Sequence, residues 1–211
     1  MNNKLTLYYI TGPIGTGKST IANFYIPEFV PEGVEYINAD LYYFCYFKNN
    51  KGTEQENYER AKKYRDYKIN KAIHNQQSFV WESVFSEEKI SLLQHCKNCG
   101  YTLVGLFVGT DNPNVLYKRV KERISDGWYD VPIKKIADRY HVMMNLLSLL
   151  YNISETMFIV DSSNEQNKLV CYKYVAGTKY TDASCKWIIN YLENNIPIQG
   201  KNYKQEDNAH V

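Results

Sequence analysis

A chain of 211 residues, 44% hydrophobic and 15% aromatic, is long enough for one globular domain with a full core. Its 25 basic residues against 23 acidic ones leave a net charge of +2, which excludes the basic excess of a nucleic-acid footprint, so no nucleic acid is expected as partner. Apolar runs stop well short of the roughly 18 residues of a membrane span, no signal-peptide cleavage pattern opens the chain, and five cysteines are an odd set for a disulfide framework, so a cytoplasmic protein with reduced thiols and no membrane partner is expected.

Short apolar runs alternate with longer amphipathic ones, the pattern of strands joined by crossover helices in a parallel sheet, hence an α/β fold. In chain order, a strand is expected at 4–11 (KLTLYYIT), a helix at 17–26, a strand at 34–38 (VEYIN) and a helix over roughly 53–76. There follow a strand at 78–82 (SFVWE), a helix at 86–98, a strand at 101–108 (YTLVGLFV), helices at 113–126 and 132–151, a strand at 156–161 (TMFIVD), an edge hairpin over 165–180 and a helix at 182–194. Several ends have a mechanism. Thr53 and Glu56 form a T-x-x-E capping box, Asn112-Pro113 puts proline at a first helical position, and Gly100 stands where a left-handed cap is wanted. Cys96 and Cys99 form a C-x-x-C without a second pair at zinc-ligand spacing, so they are taken as two small residues at that helix end. Within 132–151, Ile133, Ile136, Ala137, Tyr140, Met143, Met144, Leu147 and Leu150 share one stripe, a core face. Residues 1–175, including a lid over 112–151, are expected to form the functional domain, with 176–199 adding one helix packed on it and 200–211 a disordered tail.

Gly12-Pro13-Ile14-Gly15-Thr16-Gly17-Lys18-Ser19 fits G-x-x-x-x-G-K-[ST] between a strand and a helix, which marks a P-loop and a P-loop NTPase-type sheet sandwiched by helices. Glycines let such a loop turn its backbone N–H groups inward, an anion nest at a helix N-terminus whose dipole favours negative charge. Lys18 is expected to reach the β- and γ-phosphates of ATP, Ser19 to place its hydroxyl on Mg²⁺, and Thr20 to bond nearby backbone or the α-phosphate.

Three other strands end in a carboxylate, at Asp40, Glu82 and Asp161, and the carboxyl ends of parallel strands line the ligand crevice. Asp40 is also a candidate helix N-cap, Glu82 a candidate partner of a buried Lys or Arg, and Asp161 before Ser162-Ser163 a turn starter. Arg119 and Arg123, four apart on one helix face, repel unless an anion lies between them, and a transferring phosphoryl group is such an anion; a solvated face balanced by Glu122 and Asp126 is the alternative. Arg139 lies off the apolar stripe of the next helix and is placed to reach the same cleft. Between these helices "ISDGWYDVP" has the composition of a mobile lid that excludes water.

The order GPxGxGKST, then "NAD", then a strand ending in Glu with a hydroxyl residue after it, then paired arginines and an "RY", resembles zeta-toxin-like P-loop kinases over roughly residues 5–175. The resemblance implies a nucleotide-kinase-like fold with a helical lid, and transfer of the ATP γ-phosphoryl to a hydroxyl of a small molecule, in the characterised toxins the sugar of UDP-N-acetylglucosamine. It implies Gly12, Gly15, Gly17, Lys18, Ser19 and Thr20 as the ATP and metal site, and Asp40 as the group taking the hydroxyl proton. Glu82 and Ser83 would stand near the substrate and metal shell, Arg119 and Arg123 at the transferring phosphoryl, Arg139 as the "RY" arginine, and Asp161-Ser162 on the adenine side. An antitoxin protein is the implied partner. The chain departs from the pattern at Gly127-Trp128-Tyr129, where short relatives usually carry "GGH", and at Glu82-Ser83-Val84-Phe85-Ser86 in place of "ETTLS". The residues themselves leave open a nucleoside, an antibiotic or an RNA end as acceptor, and an ATP-dependent switch that transfers nothing.

Overall fold

The computed structural model describes residues 4–125, 133–164, 167–174, 177–182 and 184–193. The strand β1 (Thr6–Thr11) alternates, sending Leu7 and Tyr9 to one face of a sheet and Tyr8 and Ile10 to the other. It is flanked on one side by β3 (Phe79–Glu82) and on the other by β4 (Thr102–Gly109), both parallel to it. The edge strand β2 (Glu35–Asn38) joins β3, and β5 (Thr156–Asp161) joins β4, again in parallel. An antiparallel pair, β6 (Lys168–Tyr174) and β7 (Gly177–Tyr180), completes the order β2-β3-β1-β4-β5-β6-β7. The result is a mostly parallel α/β sheet with β1, and therefore the loop that follows it, in the middle of the five parallel strands.

Eight helices are described. The first, α1 (Lys18–Phe29), covers the Ile10 face, where Ile21 and Ala22 pack with Val80, Leu106, Val108 and Val160. The larger core on the Tyr9 face takes buried residues from α3 (Glu54–His74), α4 (Glu87–Asn98), α5 (Pro113–Ser125), α6 (Ile133–Asn145), α7 (Leu147–Ile153) and α8 (Lys186–Glu193). The local signals behave as their chemistry demands. Thr53 and Glu56 exchange hydrogen bonds as a capping box. Gly100 has φ +90°, and the Gly100 and Tyr101 N–H groups bond back to Lys97 and Cys96 in a Schellman closure.

The short helix α2 (Ala39–Tyr42), followed by a π-helical turn over Tyr43–Phe47, has no counterpart in the expected elements. The expected helix 132–151 divides at Leu146 into α6 and α7. The last helix begins at Lys186 instead of 182, because Asp182 accepts the N–H and hydroxyl of Ser184 and pairs with Lys168 at 2.6 Å, which makes it a turn residue. The Gly127-Trp128-Tyr129 stretch and the tail 200–211 lie outside the described residues.

Candidate active site

The loop from Gly12 to Gly17 is closed by Thr16, whose hydroxyl donates to the Pro13 carbonyl at 2.9 Å. Gly12 has φ +144°, and a Cβ there would lie 2.0 Å from the Val108 carbonyl oxygen; Gly15 has φ +84°, and its Cβ would come within 2.9 Å of the Leu116 carbonyl oxygen. Glycine at these two positions lets the loop lie against β4 on one side and α5 on the other. Lys18 is buried, and its ammonium donates to the Gly12 and Pro13 carbonyls at 3.1 and 2.9 Å, arching over the loop where phosphates are expected. Ser19 and Thr20 are exposed at the start of α1.

The Ser19 hydroxyl donates to Oε1 of Glu82 at 2.7 Å. Glu82 ends β3 beside Ile10 of β1 and Asn38 of β2, and is only 5% exposed. Its other oxygen accepts the phenol of Tyr36, which burial first, and then the Glu82 charge, keeps protonated far above the usual range. Among the described residues no cation lies within ion-pairing distance of Glu82. A buried carboxylate normally has a positive partner. This pair of hard oxygens at the mouth of a P-loop fits Mg²⁺.

Asp40 stands one strand further out. The α2 N-cap is Asn38, whose Oδ1 accepts the Asp40 and Leu41 N–H groups at 2.7 and 3.3 Å, so the cap alternative for Asp40 falls and its carboxylate is released from that duty. Instead, Oδ1 of Asp40 accepts the Tyr58 phenol at 2.7 Å. Burial, then the Asp40 charge, raises the Tyr58 pKa well beyond the ordinary phenol range, with Arg139 and Arg65 acting in the opposite sense. Arg139, on α6, is thus in the electrostatic neighbourhood of Asp40. So is Lys89 on α4, which sequence reasoning passed over: its ammonium donates to Ser83 Oγ at 2.7 Å and to the Val84 carbonyl. Burial first, and then Arg65 and Arg139, hold the Lys89 pKa down to about 7, against the pull of Asp40 and Asp66. Glu82 therefore borders the loop at Ser19, Lys89 is bonded to the neighbouring Ser83, Tyr58 to Asp40, and Asp40, Arg65 and Arg139 act on Lys89 through their charges.

The opposite flank is built from α5 and the end of β5. Gly15 rests against the Leu116–Val120 turn of α5, and Arg119 in that turn donates to the Ser162 carbonyl at 3.0 Å. Arg123 is one turn further along α5; its side chain lies outside the described residues. Lys118 and Glu122 approach to 4.0 Å on the outer face. The side chains of Asp161 and Ser162 are occupied by protein. The Ser162 hydroxyl is buried and donates to the Gly109 carbonyl at 3.0 Å. Asp161 accepts from Trp187 Nε1 at 3.0 Å and from Ser163 Oγ at 2.6 Å, tying α8 to the sheet. What they present toward a ligand is shape and backbone.

No family model matches the chain, and no curated protein matches it in sequence. Among solved structures it is similar to the native AvrRxo1-ORF1:-ORF2 complex, with a TM-score of 0.67 and 14% identity over 92% of this chain and 64% of that one. The same complex with ATP gives 0.68 and 13% identity over 93% of this chain and 66% of that one, so this chain spans just under two thirds of the length of these neighbours. It is also similar to a structure of the PezAT chromosomal toxin–antitoxin system of Streptococcus pneumoniae, with a TM-score of 0.61 and 17% identity over 88% of this chain and 77% of that one. At such identities the likeness is one of fold alone: the chain shares with these neighbours a mostly parallel α/β sheet flanked by helices.

Proposed function

We propose that the protein is an ATP-dependent phosphotransferase that moves the ATP γ-phosphoryl to a hydroxyl of a small molecule, with a nucleotide sugar such as UDP-N-acetylglucosamine as the first acceptor class to test. The observation that carries this reading is the flank on which Ser19 and Glu82 meet at 2.7 Å while Asp40, freed from capping, stands beside them. In this reading the loop 12–17, Lys18 and the α1 N-terminus hold the triphosphate, and Ser19 and Glu82 hold Mg²⁺. The metal, when bound, offsets charge on the phosphate oxygens. Asp40, steadied by Tyr58, orients the acceptor hydroxyl and takes its proton as the new O–P bond forms and the bond to the ADP oxygen breaks. Ser83 and Arg139 line the acceptor side, Arg119 and Arg123 answer the negative charge from the α5 side, and Asp161 and Ser162 shape the adenine side. Residues 1–175 would carry this chemistry, with α8 as a brace, in the cytoplasm and in company with an antitoxin-like protein partner, which the likeness to a structure of a toxin–antitoxin system supports.

The test is incubation with ATP, Mg²⁺ and a panel of nucleotide sugars and small hydroxyl metabolites, read by mass. A gain of one phosphoryl group on one acceptor is expected. ATP consumption with every acceptor unchanged would instead fit a switch.

A further inference from the structure

The register of β2 against β3 decides what reaches Glu82. Asn38 lies opposite Glu82 and Tyr36 opposite Val80. Residues two apart on a strand share a face, and a long side chain reaches its diagonal neighbour on the next strand. Tyr36, partly buried against the core of the Ile10 face, does so: its phenol donates to Oε2 of Glu82. Ser19 donates to the other oxygen, Oε1, at 2.7 Å. Glu82 is only 5% exposed, so its carboxylate has little room to turn away from either partner. The two hydroxyls differ in what they leave open. A serine oxygen keeps two lone pairs beside its hydrogen, so Ser19 can donate to Oε1 and still offer an oxygen to a cation at the P-loop. Tyr36 reaches in from the edge strand and ties down Oε2 there.

We propose that Tyr36 is a positioning residue that limits Glu82 to one oxygen toward the metal, so that the site takes Mg²⁺ in preference to Ca²⁺. Tyr36 has this role only if Ser19 and Glu82 are the metal-holding pair of the phosphotransferase proposed above. Mg²⁺ wants octahedral ligands at about 2.0–2.1 Å, keeps several waters and takes few protein oxygens. Ca²⁺ takes about six to eight oxygens at about 2.3–2.6 Å, and a carboxylate giving both of its oxygens is one way to fill them. One hydroxyl, one carboxylate oxygen and the phosphates of the nucleotide suit the smaller ion. The larger one lacks a seat, and the nearest is Oε2, which Tyr36 holds. Among the described residues no group of three or more His, Cys, Asp or Glu side chains is assembled to supply it from elsewhere. Tyr36 touches neither cation nor reacting atoms and acts through Glu82 alone.

The test reads binding and needs no turnover. The full chain is titrated by calorimetry with a non-hydrolysable ATP analogue in three forms: with saturating Mg²⁺, with saturating Ca²⁺, and with chelator and no metal. Wild type should bind the Mg²⁺ form at least about 10-fold more tightly than the Ca²⁺ form. Tyr36→Phe removes one oxygen and leaves the ring, so the Ca²⁺ form should tighten until the gap is about threefold or less, with the metal-free form unchanged. A wild type that binds both metal forms equally overturns the filter without any variant. So does a Tyr36→Phe protein in which both metal forms shift by the same factor, or neither shifts. Glu82→Gln separates the filter from the site beneath it. If Glu82→Gln weakens the Mg²⁺ form while Tyr36→Phe keeps the wild-type preference, the metal site stands and the filter is wrong. If Glu82→Gln binds all three forms as wild type does, the metal site falls and the filter with it.

Discussion

Tyr58 of α3 donates its phenol hydrogen to one oxygen of Asp40, at 2.7 Å, in the first turn of α2. The bond occupies Oδ1 and leaves Oδ2 to meet a ligand, which is how a carboxylate is aimed as a base. Asp40→Asn should therefore lower transfer by about 10²- to 10⁴-fold with ATP affinity unchanged. Tyr58→Phe should cost less, about 10- to 100-fold, the worth of one hydrogen bond to a charged group. Turnover assays run beside nucleotide titrations check both, and full turnover in Asp40→Asn would remove it from the chemistry.

Glu82 is buried against a serine and a tyrosine with no cation within ion-pairing distance among the described residues. Glu82→Gln keeps the shape and removes the charge. The Mg²⁺ concentration giving half-maximal ATP binding should rise by about 10- to 100-fold, while metal-free nucleotide binding stays near wild type. An unchanged metal requirement would assign Glu82 to structure alone.

The Gly12 backbone lies so close to Val108 that a Cβ would sit 2.0 Å from a carbonyl oxygen. Gly12→Ala should destabilise the fold by about 3 kcal/mol or more and abolish ATP binding, measured by thermal melting with and without nucleotide. Gly17 also has positive φ, but open space surrounds its Cβ position. Gly17→Ala should cost only about 1–2 kcal/mol.

Lys89 gives a pH-dependent stability whose sign is fixed. Its pKa is about 7 in the fold and about 10.4 in an unfolded chain. Between those values the unfolded chain holds a proton that the native one lacks, so stability falls as pH drops through the window and is flat below pH 7. Lys89→Met should be more stable than wild type by about 1–4 kcal/mol near pH 6, with the gain gone above about pH 10.5. Denaturant melts at pH 6, 8 and 10 report it. A lysine kept at such a cost to the fold implies work elsewhere.

Trp187 fills the space over Gly109 and donates to Asp161. Trp187→Ala should lower stability by about 3–5 kcal/mol, seen as a shift of the urea midpoint. ATP affinity should fall only as far as the β5 end is disturbed.

The P-loop and the parallel strands are legible in the sequence because their signals are local: a glycine spacing, an apolar run, a capping residue three positions from its partner. The acceptor flank is less so. The run Asp40–Phe47 is aromatic at five of its eight positions and has no period, which is why α2 and its π-turn escape pattern reading. Asp40 reads as a cap from its position alone, and only the fold shows that the Asn38 side chain takes the role. Lys89, in the first turn of an amphipathic helix, looks like a solvated surface residue. What makes it unusual comes from α3 and α6, which lie far from it in the chain. For Asp161 and Ser162, the strand-end position is plain in the sequence, but their capture by Trp187 and Gly109 is a long-range contact that no local pattern announces.

The order β2-β3-β1-β4-β5 separates the residues proposed for the acceptor from those of α5 and β5 by chain segment as well as by space. Asp40, Tyr58, Arg65, Glu82, Ser83 and Lys89 all fall between the P-loop and β4, on the β2-β3 side. The α5 and β5 residues come later, on the other side, and of the acceptor flank only Arg139 is drawn from there. Under the proposed function Glu82 lies in that same stretch of about fifty residues and holds the metal with Ser19. An exchange of the stretch would therefore change the metal site and the acceptor side together, and β1 is the strand that both halves share.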